Sequence, residues 1–335
     1  MSSREVNSAI ADALRLGGAA WTGVIEEVEM SDGGEGLLDA FLGATGGRRV
    51  AVAAHDALMR SIEAEYGIVG DTAVVEIARA AGLALVEPEQ RNPMRTTSWG
   101  VGEMIMDAYR RGVRRFVVGL GGSATSDCGI GMLRAMSDDW RKVREDSSFV
   151  LASDVTNPLC GANGAARVFA PQKGADAAMV DALDARARHF AETCARHFGF
   201  DRSNEPGAGA AGGLGYAFMQ FFGAEQRSGA ELLLDATGFD RMLRGASVVV
   251  TGEGHSDSQT LMGKLPMHIL EHSQRAGVPV WLVSGGVDDE EKMRNAGFAH
   301  VFAVTPQGMG LDEALRKDVA RENIRKALSS VSFTF

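Results

Sequence analysis

Apolar residues along the chain fall into two rhythms, helical spacing and short solid runs, and the two alternate. Val6, Ile10, Ala13 and Leu14 keep helical spacing to about Leu16, behind a Ser2/Glu5 pair that reads as a capping box. Residues 24–30 read as a short strand, and a helix follows through Leu37, Leu38 and Phe41. Residues 49–54 and 60–69 read as a β-pair, 74–81 as a helix ending at Gly82, and 103–110 as a helix leading into the strand Phe116-Val117-Val118. A short helix is expected around 131–136. A strand at 150–153 precedes a long helix from about 177 to 197 and another through 216–222. Strands at 247–251, 278–284 and 300–305, with helices at 266–276 and 311–328, close the chain. Such alternation predicts βαβ units on a parallel sheet, an α/β fold.

Several strands empty into loops that carry more chemistry than a turn requires. After Phe116-Val117-Val118 comes Gly119-Leu120-Gly121-Gly122-Ser123-Ala124-Thr125-Ser126-Asp127. Gly121 and Gly122 admit an anion close to bare backbone, Ser123, Thr125 and Ser126 offer hydroxyls, and Asp127 can hold a cation or cap the next helix. Gly119-x-Gly121-x-x-Ala124 also fits a relaxed dinucleotide fingerprint. That reading needs an acid closing the next strand about 20 residues on, whereas Asp138 and Asp139 lie in a polar run that is no strand. Gly207-x-Gly209-x-x-Gly212 is a literal G-x-G-x-x-G without a preceding strand, so it stands only as a glycine loop at a helix start. The strand at 247–251 leads into Thr251-Gly252-Glu253-Gly254-His255-Ser256-Asp257-Ser258-Gln259-Thr260 and then Gly263-Lys264. This is not a P-loop. It does group Glu253, Asp257, Thr260 and Lys264 at a strand's carboxyl end, where open α/β sheets place ligands, with acids for Mg²⁺ or base work and a lysine for phosphate charge.

Composition narrows the field. A chain of 335 residues has room for two domains. Its net charge of −10 argues against nucleic acid as a partner while leaving small anions open. No apolar run has the length of a membrane span, and no signal-peptide core is seen. Cys128, Cys160 and Cys194 form no C-x-x-C and read as reduced structural thiols, so the cytoplasm is the expected compartment. The histidines show no paired metal spacing, so a catalytic zinc site is not expected.

Taken in order, the loops resemble one family, the class I glycerate kinases. Asp32-Gly33-Gly34-Glu35-Gly36 is similar to its D-G-G-E-G segment. Arg91-Asn92-Pro93 with Thr96 and Thr97 is similar to R-N-P-x-x-T-T. Gly121-Gly122-Ser123-Ala124-Thr125-Ser126-Asp127 resembles G-G-S-A-T-N-D, and Asp154-Val155-Thr156-Asn157-Pro158-Leu159-x-Gly161 resembles D-V-x-N-P-L-x-G. Pro171-Gln172-Lys173-Gly174, the 207–213 loop and the Thr251 to Lys264 segment match as well.

The resemblance implies a Rossmann-like parallel-sheet domain (1–45 and 242–335) with a second α/β domain inserted (46–241). It implies phosphorylation of a glycerate hydroxyl with ATP and Mg²⁺. On it, Asp257, Lys264 and Asp154 are the expected catalytic residues, and Glu253 and Asp257 the expected metal ligands. Asp257 is base or metal ligand, and Glu253 or Asp154 also stands near the metal. Asp32, Glu35, Arg91, Asn92, Gly121, Gly122, Ser123, Thr125, Asn157, Lys173, Gly207, Gly209, Gly212 and Thr260 are expected to contact substrate or nucleotide, with Arg91 forking the glycerate carboxylate. Which loop takes ATP, which hydroxyl and enantiomer are used, and whether the protein is a homodimer stay open. Family members begin with a strand and a D-S-F-K-G-S-type loop, whereas this sequence starts on the helix, and position 255 is His where Arg is usual. The alternative expectation is therefore a truncated, weakened or non-catalytic relative that binds glycerate or nucleotide.

Overall fold

The computed structural model describes residues 1–16, 23–30 and 36–329. The chain divides into two units, one of Met1–Ser31 with Leu233–Phe335, the other of Asp32–Leu232.

The Asp32–Leu232 unit is built on a six-stranded sheet in chain order: β1 Arg48–His55, β2 Ser61–Val69, β3 Thr72–Glu76, β4 Arg115–Gly119, β5 Ser148–Ala152 and β6 Glu225–Arg227. The β1–β2 and β2–β3 pairs are antiparallel, and β3 through β6 run parallel. The helix expected over 74–81 is instead β3 followed by a one-turn helix, Ala78–Ala81. Ala73, Val74 and Val75 are wholly buried, as a central strand covered on both faces must be. Gly70-Asp71 supplies the two-residue turn into β3, with Gly70 at φ 58° and Val69 opposite Thr72. On the sheet, Phe116 and Phe149 stack at 4.7 Å between ring centroids, and Phe149 also meets Phe218 and Phe222. The long helix Ala177–Phe198 is capped by Asp176, which accepts from the Met179 N–H at 2.8 Å, and it ends at Gly199 with φ 77°. Asp176→Ala is expected to lower unfolding free energy by about 1 kcal/mol in denaturant titration; an unchanged midpoint and slope would remove the cap from the account.

The other unit carries three parallel strands, β7 Val249–Ser256, β8 Val280–Val287 and β9 His300–Ala303, in that order. In β8, Val280 and Leu282 enter one core with Ile269 and Leu270, while Trp281 and Val283 enter another with Ile10, Leu14, Ile324 and Leu328. This period of two, buried on both faces, is what helices on either side of a parallel sheet require. The expected capping box forms: Ser2 N–H donates to Glu5 Oε2 at 2.7 Å and Glu5 N–H to Ser2 Oγ at 3.2 Å. Helix Ser3–Leu16 then packs along helix Lys317–Ser329, with Lys317 paired to Glu5 at 2.7 Å. The single helix expected over 311–328 is split into Leu311–Ala314 and Lys317–Ser329. Residues 24–30, expected as a strand, join no sheet. Ile25 and Met30 do reach the cores, and most of the segment lines a cavity of about 810 Å³ together with residues of β7. Among the described residues no helix is long and apolar enough to cross a membrane.

Candidate active site

In the Asp32–Leu232 unit the predicted residues gather beyond the carboxyl ends of β4 and β5. The loop after β4 is pinned from outside: Leu83 N–H donates to the Gly122 carbonyl at 2.7 Å, Ala124 N–H to the Ala81 carbonyl at 2.8 Å, and Thr96 Oγ1 to the Ala124 carbonyl at 3.0 Å. Gly122 turns at φ 70°, where a side chain would be strained. Among the described residues the N–H groups of Gly121, Gly122 and Ser123 meet no backbone or side-chain acceptor, so this turn offers donors to a ligand. Ser123 Oγ lies 3.1 Å from Thr125 Oγ1 and accepts from the Thr125 N–H at 3.1 Å.

Of the two roles open to Asp127, the structure shows the cap. Its Oδ2 accepts from Ser98 N–H at 2.8 Å, Ser98 Oγ at 2.9 Å and Gly131 N–H at 3.1 Å, and its Oδ1 from Gly129 N–H at 3.1 Å. That ties the Thr96-Thr97-Ser98 segment to helix Ile130–Met136.

Lys173 is buried rather than on the surface, at 3% exposure, with Nζ 2.6 Å from the Thr125 carbonyl and 3.4 Å from Ser123 Oγ. Burial holds its ammonium down to a pKa of about 8, against an opposing pull from Asp127. The segment carrying it leans on Arg91: a Cβ on Gly174 would lie 2.3 Å from the Arg91 carbonyl. The Arg91 guanidinium spends Nε on the Val86 carbonyl at 3.3 Å, and among the described residues both terminal nitrogens lack a partner, leaving its fork for an oxyanion. Asn92 shapes this loop, accepting from Met94 N–H at 3.0 Å. Asp154 stands exposed two residues past β5, and Asn157 Nδ2 donates to the Asn163 carbonyl at 2.8 Å.

At the 207–213 loop the geometry gives glycine another reason. Gly207, Gly209 and Gly212 are buried, and a Cβ would lie 1.5 Å from Gln226 Oε1, 2.4 Å from the Pro158 carbonyl and 2.0 Å from the Thr125 carbonyl respectively. Protein atoms, a side-chain amide at Gly207 and backbone carbonyls at Gly209 and Gly212, pack where an approaching phosphate was expected. Through Cys128 N–H, which donates to the Gly212 carbonyl at 3.1 Å, the loop buttresses the turn after β4. Asp32 and Glu35 lie outside the described residues.

In the other unit, Glu253, Asp257, Thr260 and Lys264 do come together. The strand runs on past the expected end at Thr251 to Ser256, so Glu253 projects from β7 itself, opposite Ser284 of β8. Glu253 Oε1 accepts from the hydroxyls of Ser256, at 2.9 Å, and of Thr260; Lys264 Nζ stands 3.9 Å from Oε2. Thr260 is fully buried and its Oγ1 accepts the Asp257 N–H at 3.0 Å, so its hydroxyl orients Glu253 and ties it to the Asp257 main chain rather than facing solvent. Asp257 Oδ1 accepts from Gln259 N–H at 2.7 Å and Thr260 N–H at 3.3 Å, while among the described residues Oδ2 accepts nothing. Sequence reasoning passed over two members of this cluster. Ser284, buried, bonds Ser256 Oγ at 2.6 Å, and Asp288 pairs with His255 Nε2 at 2.8 Å. Ser284 lies in the carboxyl-terminal half of β8 and Asp288 just past its end, where the rule that located Glu253 applies equally.

Mg²⁺ binds through one or two carboxylates plus phosphate oxygens and water. The described residues hold no group of three or more His, Cys, Asp or Glu able to cage an ion. Glu253 Oε2 and Asp257 Oδ2, the oxygens that accept no hydrogen bond among the described residues, fit an ion carried in by a nucleotide.

The glycerate kinase family model matches residues 1–142 and 137–335 of the chain. The glycerate kinase of Halalkalibacterium halodurans is 38% identical over 91% of this chain and 88% of its own length. The glycerate 2-kinase of Escherichia coli K12 is 37% identical over 92% of this chain and 88% of its own. A crystal structure named for glycerate kinase 2 of Salmonella typhimurium LT2 is similar at a TM-score of 0.82 and 36% identity, covering 98% of this chain and 93% of that one.

Proposed function

The chain belongs to the glycerate kinase family and is a kinase of that family, and from this premise we propose that it transfers the terminal phosphoryl group of ATP to a hydroxyl of glycerate. The products are ADP and a phosphoglycerate, with both substrates drawn from the cytoplasm. The observation that carries the reading is the Glu253–Thr260–Asp257–Lys264 constellation, two acids, one held by the Thr260 hydroxyl and one by backbone N–H groups, beside a lysine at a β-strand's carboxyl end.

Phosphoryl transfer is mostly positioning and charge stabilisation, with one group to accept the attacking hydroxyl's proton. Asp257 is that acceptor, through Oδ2, because its other oxygen is committed to backbone N–H groups. Lys264 offsets the charge developing on the transferred group. Glu253 Oε2 would hold Mg²⁺ brought in with the nucleotide, and the ion would supply neutralisation of the phosphate charge. In the Asp32–Leu232 unit the donors of Gly121, Gly122 and Ser123, the Thr125 hydroxyl, Lys173 and the Arg91 fork serve anionic oxygens of the substrates. The expectation of a non-catalytic relative is not favoured, since the similar proteins named as glycerate kinases align over 91% and 92% of the chain.

A coupled ADP-release assay with D-glycerate, ATP and Mg²⁺ tests the reading. ADP release that depends on glycerate is expected. Release indifferent to glycerate, or none, would overturn it.

A further inference from the structure

Lys173 presents an imbalance of charge that its own contacts in the protein do not settle. Its ammonium is buried, yet among the described residues no carboxylate comes within ion-pair distance of it. A buried cation is stable only when a counter-charge and hydrogen bonds replace its lost water. The hydrogen bonds are present: Nζ donates to the Thr125 carbonyl at 2.6 Å and reaches Ser123 Oγ at 3.4 Å. Of the counter-charge only a distant part is present. Asp127 from the turn after β4 acts on it through space, but both oxygens of Asp127 are taken up in capping. Arg91, from the loop packed against Gly174, has the same sign as Lys173. The missing charge belongs on the ligand side of the Gly121 to Thr125 turn.

We propose that Lys173 is a positioning residue that, through the Thr125 carbonyl and the Ser123 hydroxyl, holds the Gly121–Gly122–Ser123 turn in its donor conformation and supplies the buried positive charge that makes this turn an anion site. The ligand chemistry is an oxyanion, the carboxylate of glycerate or a phosphate of ATP. The inference rests on the kinase reading only for which of these is used. Lys173 carries its charge below a pH of about 8 and loses it as pH rises through that value, well under the 10.5 of an ordinary lysine. Between these values the unfolded chain binds the extra proton, so the Lys173 contribution to stability rises with pH while anion affinity falls. A merely structural lysine would not couple the two in opposite directions.

The test compares wild type, Lys173→Arg and Lys173→Met. Titration with sulfate, whose charge is constant above neutrality, is run at pH 7.5 and 9.5. Wild type is expected to lose about tenfold in affinity between them, while Lys173→Arg holds its affinity because a guanidinium does not titrate there. Lys173→Met is expected to bind sulfate at least tenfold more weakly at pH 7.5, and in steady-state assays to raise KM for one substrate tenfold or more with kcat within about threefold. A raised KM for glycerate assigns the carboxylate, and a raised KM for ATP assigns a phosphate. Should Lys173→Met fail to fold, the pH dependence of wild type against Lys173→Arg decides alone. Equal pH dependence in those two proteins, or no sulfate binding by wild type, overturns the proposal. Because sulfate binding needs no turnover, a protein that binds sulfate as stated but ignores glycerate would unseat the kinase reading and leave Lys173 its role.

Discussion

Asp257→Asn is expected to lower kcat by on the order of 10² or more, the scale of losing a positioned proton acceptor. The substitution is chosen for what it leaves alone. Asp257 Oδ1 organises the Gln259 and Thr260 N–H groups, and an asparagine Oδ1 accepts both equally. The Asp257 N–H to Thr260 Oγ1 bond, and through it the Thr260 to Glu253 link, is a main-chain contact that the change does not touch. What is removed is the negative charge and basicity of Oδ2. A steady-state ADP-release assay should therefore show kcat falling while KM for ATP and glycerate moves less than threefold, with the thermal unfolding midpoint near that of wild type. Turnover within a factor of three of wild type would take the base away from Asp257 and pass the role to Glu253, the acid bonded to Thr260.

The site was legible where its chemistry is local and hidden where packing decides. Glu253, Asp257, Thr260 and Lys264 fall within one short stretch, so their meeting required only a strand end and a turn. Even there, the buried Ser284 and the exposed Asp288 came from β8, and nothing local in the sequence ties β8 to β7. Lys173 could not be told from a surface lysine by its neighbours, because its burial depends on the turn after β4, some fifty residues earlier in the chain. The β3 error has a physical cause as well. A central strand buried on both faces loses its alternation, and Val74-Val75 followed by an alanine-rich run satisfies helix spacing as readily. The Gly70-Asp71 turn between two β-forming runs was the signal that could have decided it. Residues 24–30 failed in the opposite sense: the run has strand-like content, but only Ile25 and Met30 pack on the cores while Val24 is exposed, and the segment joins no ladder.

Gly212→Ala is expected to destabilise the Asp32–Leu232 unit by about 3–5 kcal/mol, combining a left-handed backbone with overpacking. Gly212 sits at φ 66°, where an alanine is strained. A Cβ there would lie 2.0 Å from the Thr125 carbonyl and 2.7 Å from Ser126 Cα, and both are backbone atoms that cannot rotate away. Relief would require the turn after β4 to move, which breaks the Cys128 N–H bond to the Gly212 carbonyl and shifts the carbonyl that holds Lys173. The phosphate-loop reading of the same glycines forecasts something different: a folded protein whose KM for ATP rises because a methyl group blocks the nucleotide. Denaturant unfolding followed by far-UV circular dichroism, beside steady-state kinetics, separates the two. A lowered midpoint, or recovery only as aggregate, is the outcome that packing requires. A midpoint equal to wild type with a tenfold rise in KM for ATP would return Gly212 to the nucleotide and show that the loop yields where its contacts say it cannot.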